Sequence, residues 1–157
     1  MPLRTRHGPL AAAGAGLLAA ALAVGLTGTA EAATVFADDF GDGDAGGWSK
    51  SGGTWSVVAD GTPALEQANA GSELARNFAG NSGWNNYSVQ ARVKPLSFNG
   101  SNRLVAIAAR STGATRMYRL ALTNSGRAEL QVVNGSSITV LGATPLTVST
   151  GTWYTLR

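Results

Sequence analysis

The chain contains no cysteine. That excludes disulfide staples and thiol chemistry, so the fold must be held by an apolar core or by a metal. Histidine occurs once, at His7 near the start. If the leading segment is removed, imidazole is lost as a base, as an orienter of a nucleophile and as a zinc ligand. Lysine is nearly absent too, with Lys50 and Lys94 set against ten arginines. Those arginines are scattered, which argues against a nucleic-acid or general polyanion surface, where basic residues cluster. Carboxylates are scarce: beyond Asp38, Asp39, Asp42 and Asp44, the chain after Ala32 holds Asp60, Glu66, Glu73 and Glu129. No stretch after Ala32 offers ten residues of helical periodicity with capping signals.

What is there begins with an export pattern. Arg4, Arg6 and His7 precede an apolar run from Leu10 to Leu26, and Ala30-Glu31-Ala32 supplies small residues for a signal peptidase. The pattern predicts a signal peptide over 1–32, cleavage before Ala33, and secretion to the extracellular space. An uncleaved anchor is the alternative, because about 17 apolar residues nearly span a bilayer; the Ala/Gly richness favours removal. Arg4-Thr5-Arg6 is not a paired arginine, which points to general export. The expected mature part, 33–157, carries 10 basic against 8 acidic residues, a net charge of +2. The pI near 9.8 therefore overstates its basicity. Its length is enough for one core.

From Tyr87 the residues alternate, with Tyr87, Val89, Ala91 and Val93 on one face and Ser88, Gln90, Arg92 and Lys94 on the other. This is the clearest strand in the chain. Shorter strands are predicted at Val35–Phe40, Trp55–Ala59, Ala64–Ala68, Glu73–Phe78, Leu104–Arg110, Met117–Thr123, Ala128–Val133, Ile138–Leu141 and Trp153–Leu156. Turn residues separate them, among them Asn124-Ser125-Gly126 and the hairpin signal Asn134-Gly135. Many short strands without helices predict an all-β fold, an antiparallel β-sandwich or barrel. Alternation places Tyr118, Leu120 and Leu122 in the core with Ala128, Leu130 and Val132, leaving Arg119, Ala121 and Thr123 outward. Gly-Thr-Trp occurs twice, at Gly53–Trp55 and Gly151–Trp153, which reads as shared turn chemistry because the flanks differ.

Three segments carry a family resemblance. They are Phe36-Ala37-Asp38-Asp39-Phe40-Gly41-Asp42-Gly43-Asp44 with Gly47-Trp48, then Gly53-Thr54-Trp55-Ser56-Val57, then Trp84 through Pro95. Together they resemble the laminin-G-like, concanavalin A-like jelly-roll domains of secreted actinobacterial carbohydrate-active proteins, which often stand beside pectate lyase modules. The resemblance runs from about Phe36 to the last residue and implies a jelly-roll β-sandwich. It also implies that Ser149–Arg157 leads into further strands, so that 33–157 is a C-terminally truncated domain. Such a piece is expected to expose an unpaired sheet edge, to be marginally stable and to aggregate. Glycosidases on this fold share a Glu-x-Asp-x-Glu strand, whose carboxylates share a face and flank the scissile bond. This sequence has no such strand, nor the stacked coil of a β-helical lyase.

The candidate site residues follow from chemistry. Asp39, Asp42 and Asp44, with Asp38, sit in a Gly-rich stretch and admit two readings: oxygen ligands for a structural calcium, or caps of their own turns. Trp48, Trp55 and Trp153 read as packing residues. Trp84, between Gly83 and Asn85-Asn86, reads as the indole most available to stack on a sugar. Outward Arg92, Lys94, Arg110 and Arg119 suit the carboxylates of an acidic polysaccharide such as pectate, or form a solvated face. Two functions are thus expected: a non-catalytic carbohydrate-binding module without a catalytic residue, or the leading fragment of a polysaccharide lyase or hydrolase whose catalytic part lies elsewhere.

Overall fold

Closely spaced turns and two-residue periodicity produce ten strands and no helix in the computed structural model, which describes residues 33–69, 71 and 75–157. The expected signal segment 1–32, and Glu73 and Leu74 of the expected run Glu73–Phe78, lie outside the described residues. Among the described residues no helix is long and apolar enough to cross a membrane. The strands are β1 (Trp48–Ser51), β2 (Trp55–Asp60), β3 (Thr62–Gln67), β4 (Arg76–Ala79), β5 (Ala91–Val93), β6 (Leu104–Ala109), β7 (Arg116–Thr123), β8 (Arg127–Asn134), β9 (Ser137–Pro145) and β10 (Tyr154–Leu156). Every pairing is antiparallel: β1 with β4, β2 with β3, β5 with β10, and β6-β7-β8-β9 as a four-stranded meander. The all-β, antiparallel reading of the sequence therefore holds.

The turns are made by the residues that favour them. Gly126 donates its N–H to the Thr123 carbonyl at 3.1 Å and adopts φ 80°, closing β7 onto β8. Asn134 pairs with Ser137 across Gly135, which supplies the φ of 65° that a two-residue hairpin demands. The repeated Gly-Thr-Trp is turn chemistry: Gly53 and Gly151 have φ of 76° and 74°. At Gly53 the requirement is absolute, because a Cβ there would stand 2.8 Å from the Ala75 Cβ and 2.9 Å from the Trp55 indole nitrogen.

Three local expectations are corrected. Val35–Phe40 forms no strand. Its Asp38 and Asp39 side chains accept the backbone N–H groups of Phe40 and Gly41 at 2.8 and 2.9 Å, competing with a ladder for those donors. From Tyr87 to Val93 the burial alternates as read, yet only Ala91–Val93 is laddered, because β10 offers three partners. The third correction is β1, which was not foreseen, although Trp48-Ser49-Lys50-Ser51 alternates between Gly47 and Gly52.

The core departs from the expected single face of β7. Leu122 is buried as predicted, but Tyr118 and Leu130 are 46% and 44% exposed. Ala121 and Thr123, expected outward, are buried beside Met117, Gln131 and Val133. In register, Met117 opposes Val133, Arg119 opposes Gln131 and Ala121 opposes Glu129, so one face of the meander mixes apolar and polar groups. The polar groups there are satisfied in a chain. Arg119 Nε donates to Gln131 Oε1 at 2.6 Å, Gln131 Nε2 donates to Glu129 Oε2 at 2.6 Å, and Arg127 pairs with Glu129 at 3.3 Å. Satisfied polar groups can be enclosed without the penalty of lost water, so amphipathic alternation alone does not identify the covered face.

Candidate functional site

Two strand pairs build the site. Antiparallel register sets Lys50 opposite Asn77 and Trp48 opposite Ala79 in β1–β4, and alternation puts Trp48, Lys50 and Asn77 on one face. In β2–β3 the same logic puts Trp55, Val57 and Leu65 on one face. These two faces, with Ser56 and the Gly43–Ala45 loop, line an open cleft of about 300 Å³.

Both indoles in the cleft are held in place. Trp48 donates its indole N–H to Asp38 Oδ2 at 2.8 Å and packs edge-on against Phe36 and tilted against Phe40, with centroids 5.7 and 5.8 Å away. Trp55 donates its indole N–H to the Gly52 carbonyl at 2.9 Å. Phe40 has φ 57°, a costly backbone state for an aromatic residue, and its contact with Trp48 helps to offset that strain. Between the aromatic groups lies a polar pair of unequal hydration. Lys50 is exposed, whereas Asn77 Oδ1 is enclosed and receives no hydrogen bond from any described group.

The residues singled out from sequence for sugar contact are placed elsewhere. Trp84 lies over Gly80, whose missing side chain makes the room, and meets Tyr87 edge-to-face at 6.2 Å. Tyr87 in turn accepts the Arg110 backbone N–H at 2.7 Å, so Trp84 and Arg110 share a neighbour. Arg92 is laid over the Trp153 ring, 4.8 Å from its centroid, with Lys94 5.1 Å from the same ring and ion-paired to Asp60. Arg119 is engaged in its chain with Gln131. Burial and, secondarily, the Arg76 charge hold its pKa below the ordinary arginine value, while Glu129 acts the other way. Trp84 and Arg110 thus meet at Tyr87, Arg92 and Lys94 at Trp153, and Arg119 at Gln131, and the cleft draws on Trp48 and Trp55, which read as packing residues in the sequence. The available signal was the doublet of tryptophans, each flanked by small polar residues and glycine turns.

The acidic stretch folds into turns. Asp38, Asp39, Asp42 and Asp44 each accept a backbone N–H two residues on, at 2.8, 2.9, 3.2 and 2.6 Å. Ala37, Asp38, Asp39, Gly41 and Asp42 border an open concavity, but among the described residues no three carboxylates gather to hold a metal ion. The sequence reading of Asp39, Asp42 and Asp44 as turn caps is thus the one with observed bonds. Millimolar calcium followed by EDTA is expected to move the melting temperature by less than about 1 °C, since only binding to the folded state raises it. A rise of several degrees with calcium would show a cation site there.

No protein-family profile, curated protein or solved structure matches the chain.

Proposed function

We propose that the chain is a secreted, non-catalytic carbohydrate-binding module, built as a β-sandwich of the jelly-roll kind, with the Trp48–Trp55 cleft as its binding face. One observation carries the reading: two immobilised indoles border the same cleft as an exposed ammonium group and an amide. Sugar rings present C–H faces that pack on indole and hydroxyls that need fixed polar partners, and binding sites combine those two surfaces. A binding role rather than a cleaving one is supported by the lining, in which Asp44 is the one carboxylate and its Oδ1 already accepts the Gly46 N–H. Glycoside hydrolysis uses a pair. Held beside an enzyme, such a module raises the local concentration of polymer by tethering.

Retention on insoluble polysaccharides, with polygalacturonate as the acidic comparison, tests this. Trp55→Ala is expected to weaken binding about two- to tenfold, in line with about 0.5–1.5 kcal/mol for an aromatic stacking contact. Trp84→Ala, outside the cleft, should retain binding wherever the fold survives. If Trp84→Ala abolishes binding in a folded protein while Trp55→Ala does not, the cleft is the wrong face. No retention of the unaltered protein on any glycan would remove the function itself.

A further inference from the structure

Asn99-Gly100-Ser101 and Asn134-Gly135-Ser136 are the same tripeptide at two places in the chain. In such a pair the glycine backbone nitrogen can attack the asparagine side-chain carbonyl, because the glycine has no side chain to block the approach. The nitrogen loses its proton, a new N–Cγ bond closes a succinimide ring, and the side-chain nitrogen leaves as ammonia. Water then opens the ring: cleavage of the new bond gives aspartate, and cleavage of the old main-chain bond gives isoaspartate. No oxidant, cofactor or second protein enters the balance.

Because the local chemistry is identical, the fold decides which copy reacts, and it treats the two differently. Asn134 ends β8 and is paired with Arg116 on one side and Ser137 on the other. Gly135 donates its N–H to the Thr115 carbonyl at 2.8 Å. Attack by that nitrogen would break this bond and disturb the end of the ladder. Asn99 and Gly100 lie exposed in the loop before β6, and among the described residues the Gly100 N–H donates to no group. The loop is held by its other polar groups. The Gly100 carbonyl accepts from Asn124 Nδ2 at 2.8 Å, the Arg103 N–H donates to Asn124 Oδ1 at 3.1 Å, and Arg103 Nε donates to the Asn99 carbonyl at 3.0 Å. The guanidinium also stands close to Gly100, since a Cβ added there would meet Arg103 Nε at 3.6 Å. A positive charge at that place favours the deprotonated amide through which the attack proceeds.

We propose that Asn99 is a self-modifying site that converts to aspartate and isoaspartate in the folded protein, while Asn134 is protected by its hairpin. Conversion exchanges a neutral amide for a carboxylate beside Arg103. In the isoaspartate form the former Asn99 carbonyl becomes the free carboxylate, so the group that Arg103 already holds gains a charge, and charge-assisted hydrogen bonds are the stronger kind. The same form adds one methylene to the main chain at the entry to β6.

The test incubates the purified protein at physiological temperature in mildly alkaline buffer, with and without urea, and follows both tripeptides over weeks by peptide mass spectrometry with isoaspartate mapping. No variant is required. In urea the two sites are expected to convert at similar rates, because their local sequences match and the fold no longer separates them. In the folded protein Asn99 should keep close to its unfolded rate. Asn134 should fall at least about tenfold behind it, since each reactive opening there costs a hydrogen bond and part of a ladder. Equal native rates at the two sites, faster native conversion at Asn134, or an Asn99 that reacts only in urea would each overturn the proposal.

Discussion

Leu122→Ala is expected to remove about 3–4 kcal/mol of stability, the cost of deleting a fully enclosed leucine together with the cavity it leaves. Among the described residues Leu122 is the largest side chain to be completely buried, at 1% exposure, and it lies at the middle of the meander between Val105 and Ala128. Few other large apolar groups are comparably enclosed, since Leu130, Ile138, Val140 and Leu141 are all about half exposed. The core therefore has little surplus from which to absorb the loss. A domain of ordinary stability has about 5–15 kcal/mol in total, so at the lower end of that range the variant keeps only a small margin. Urea denaturation followed by tryptophan fluorescence checks this through the shift in midpoint at unchanged slope. A change below about 1 kcal/mol would show that the meander is not the stabilising centre of the fold.

Gln131→Leu should cost about 2–4 kcal/mol, although it replaces a polar side chain by an apolar one of similar size at a site only 5% exposed. The reason lies in its two neighbours. Gln131 accepts from Arg119 and donates to Glu129, so its loss strands a guanidinium and a carboxylate in partly covered positions. Glu129 keeps Arg127, while Arg119 keeps the repulsion of Arg76. Replacing Arg119 by Met in the same protein should recover much of the loss, because paired apolar substitution removes the stranded charge as well as its partner. A double-mutant cycle on Arg119 and Gln131 is thus expected to be strongly non-additive. Additive effects would mean that the chain of hydrogen bonds contributes nothing as a unit.

Much of the strand pattern was legible because it depends on neighbours in sequence. The β7–β8–β9 hairpins follow from alternation and from Gly126 and Gly135, each at positive φ. Two things were not legible. The first is which face of β7 is covered: Ala121 and Thr123 are small enough to be buried, Arg119 and Gln131 satisfy one another, and nothing local reports that pairing. The second is the site. Trp48 and Trp55 have neighbours that also suit packing, and only the pairing of β1 with β4 sets Asn77 opposite Lys50. Conversely, Arg92 looked available along its strand, and the approach of Trp153 from β10's side of the chain occupies it.

The residue order by itself determined an antiparallel all-β protein without thiol or, after His7, imidazole chemistry, because strand alternation, turn preference and the presence of a functional group are properties of short segments. Tertiary structure alone decided that Trp48 and Trp55 share a cleft and that Asn77 Oδ1 is enclosed there without a donor. The placing of Asn77 depends on register between β1 and β4, separated by more than twenty residues, where the energy of a contact is set by what the rest of the fold excludes from water.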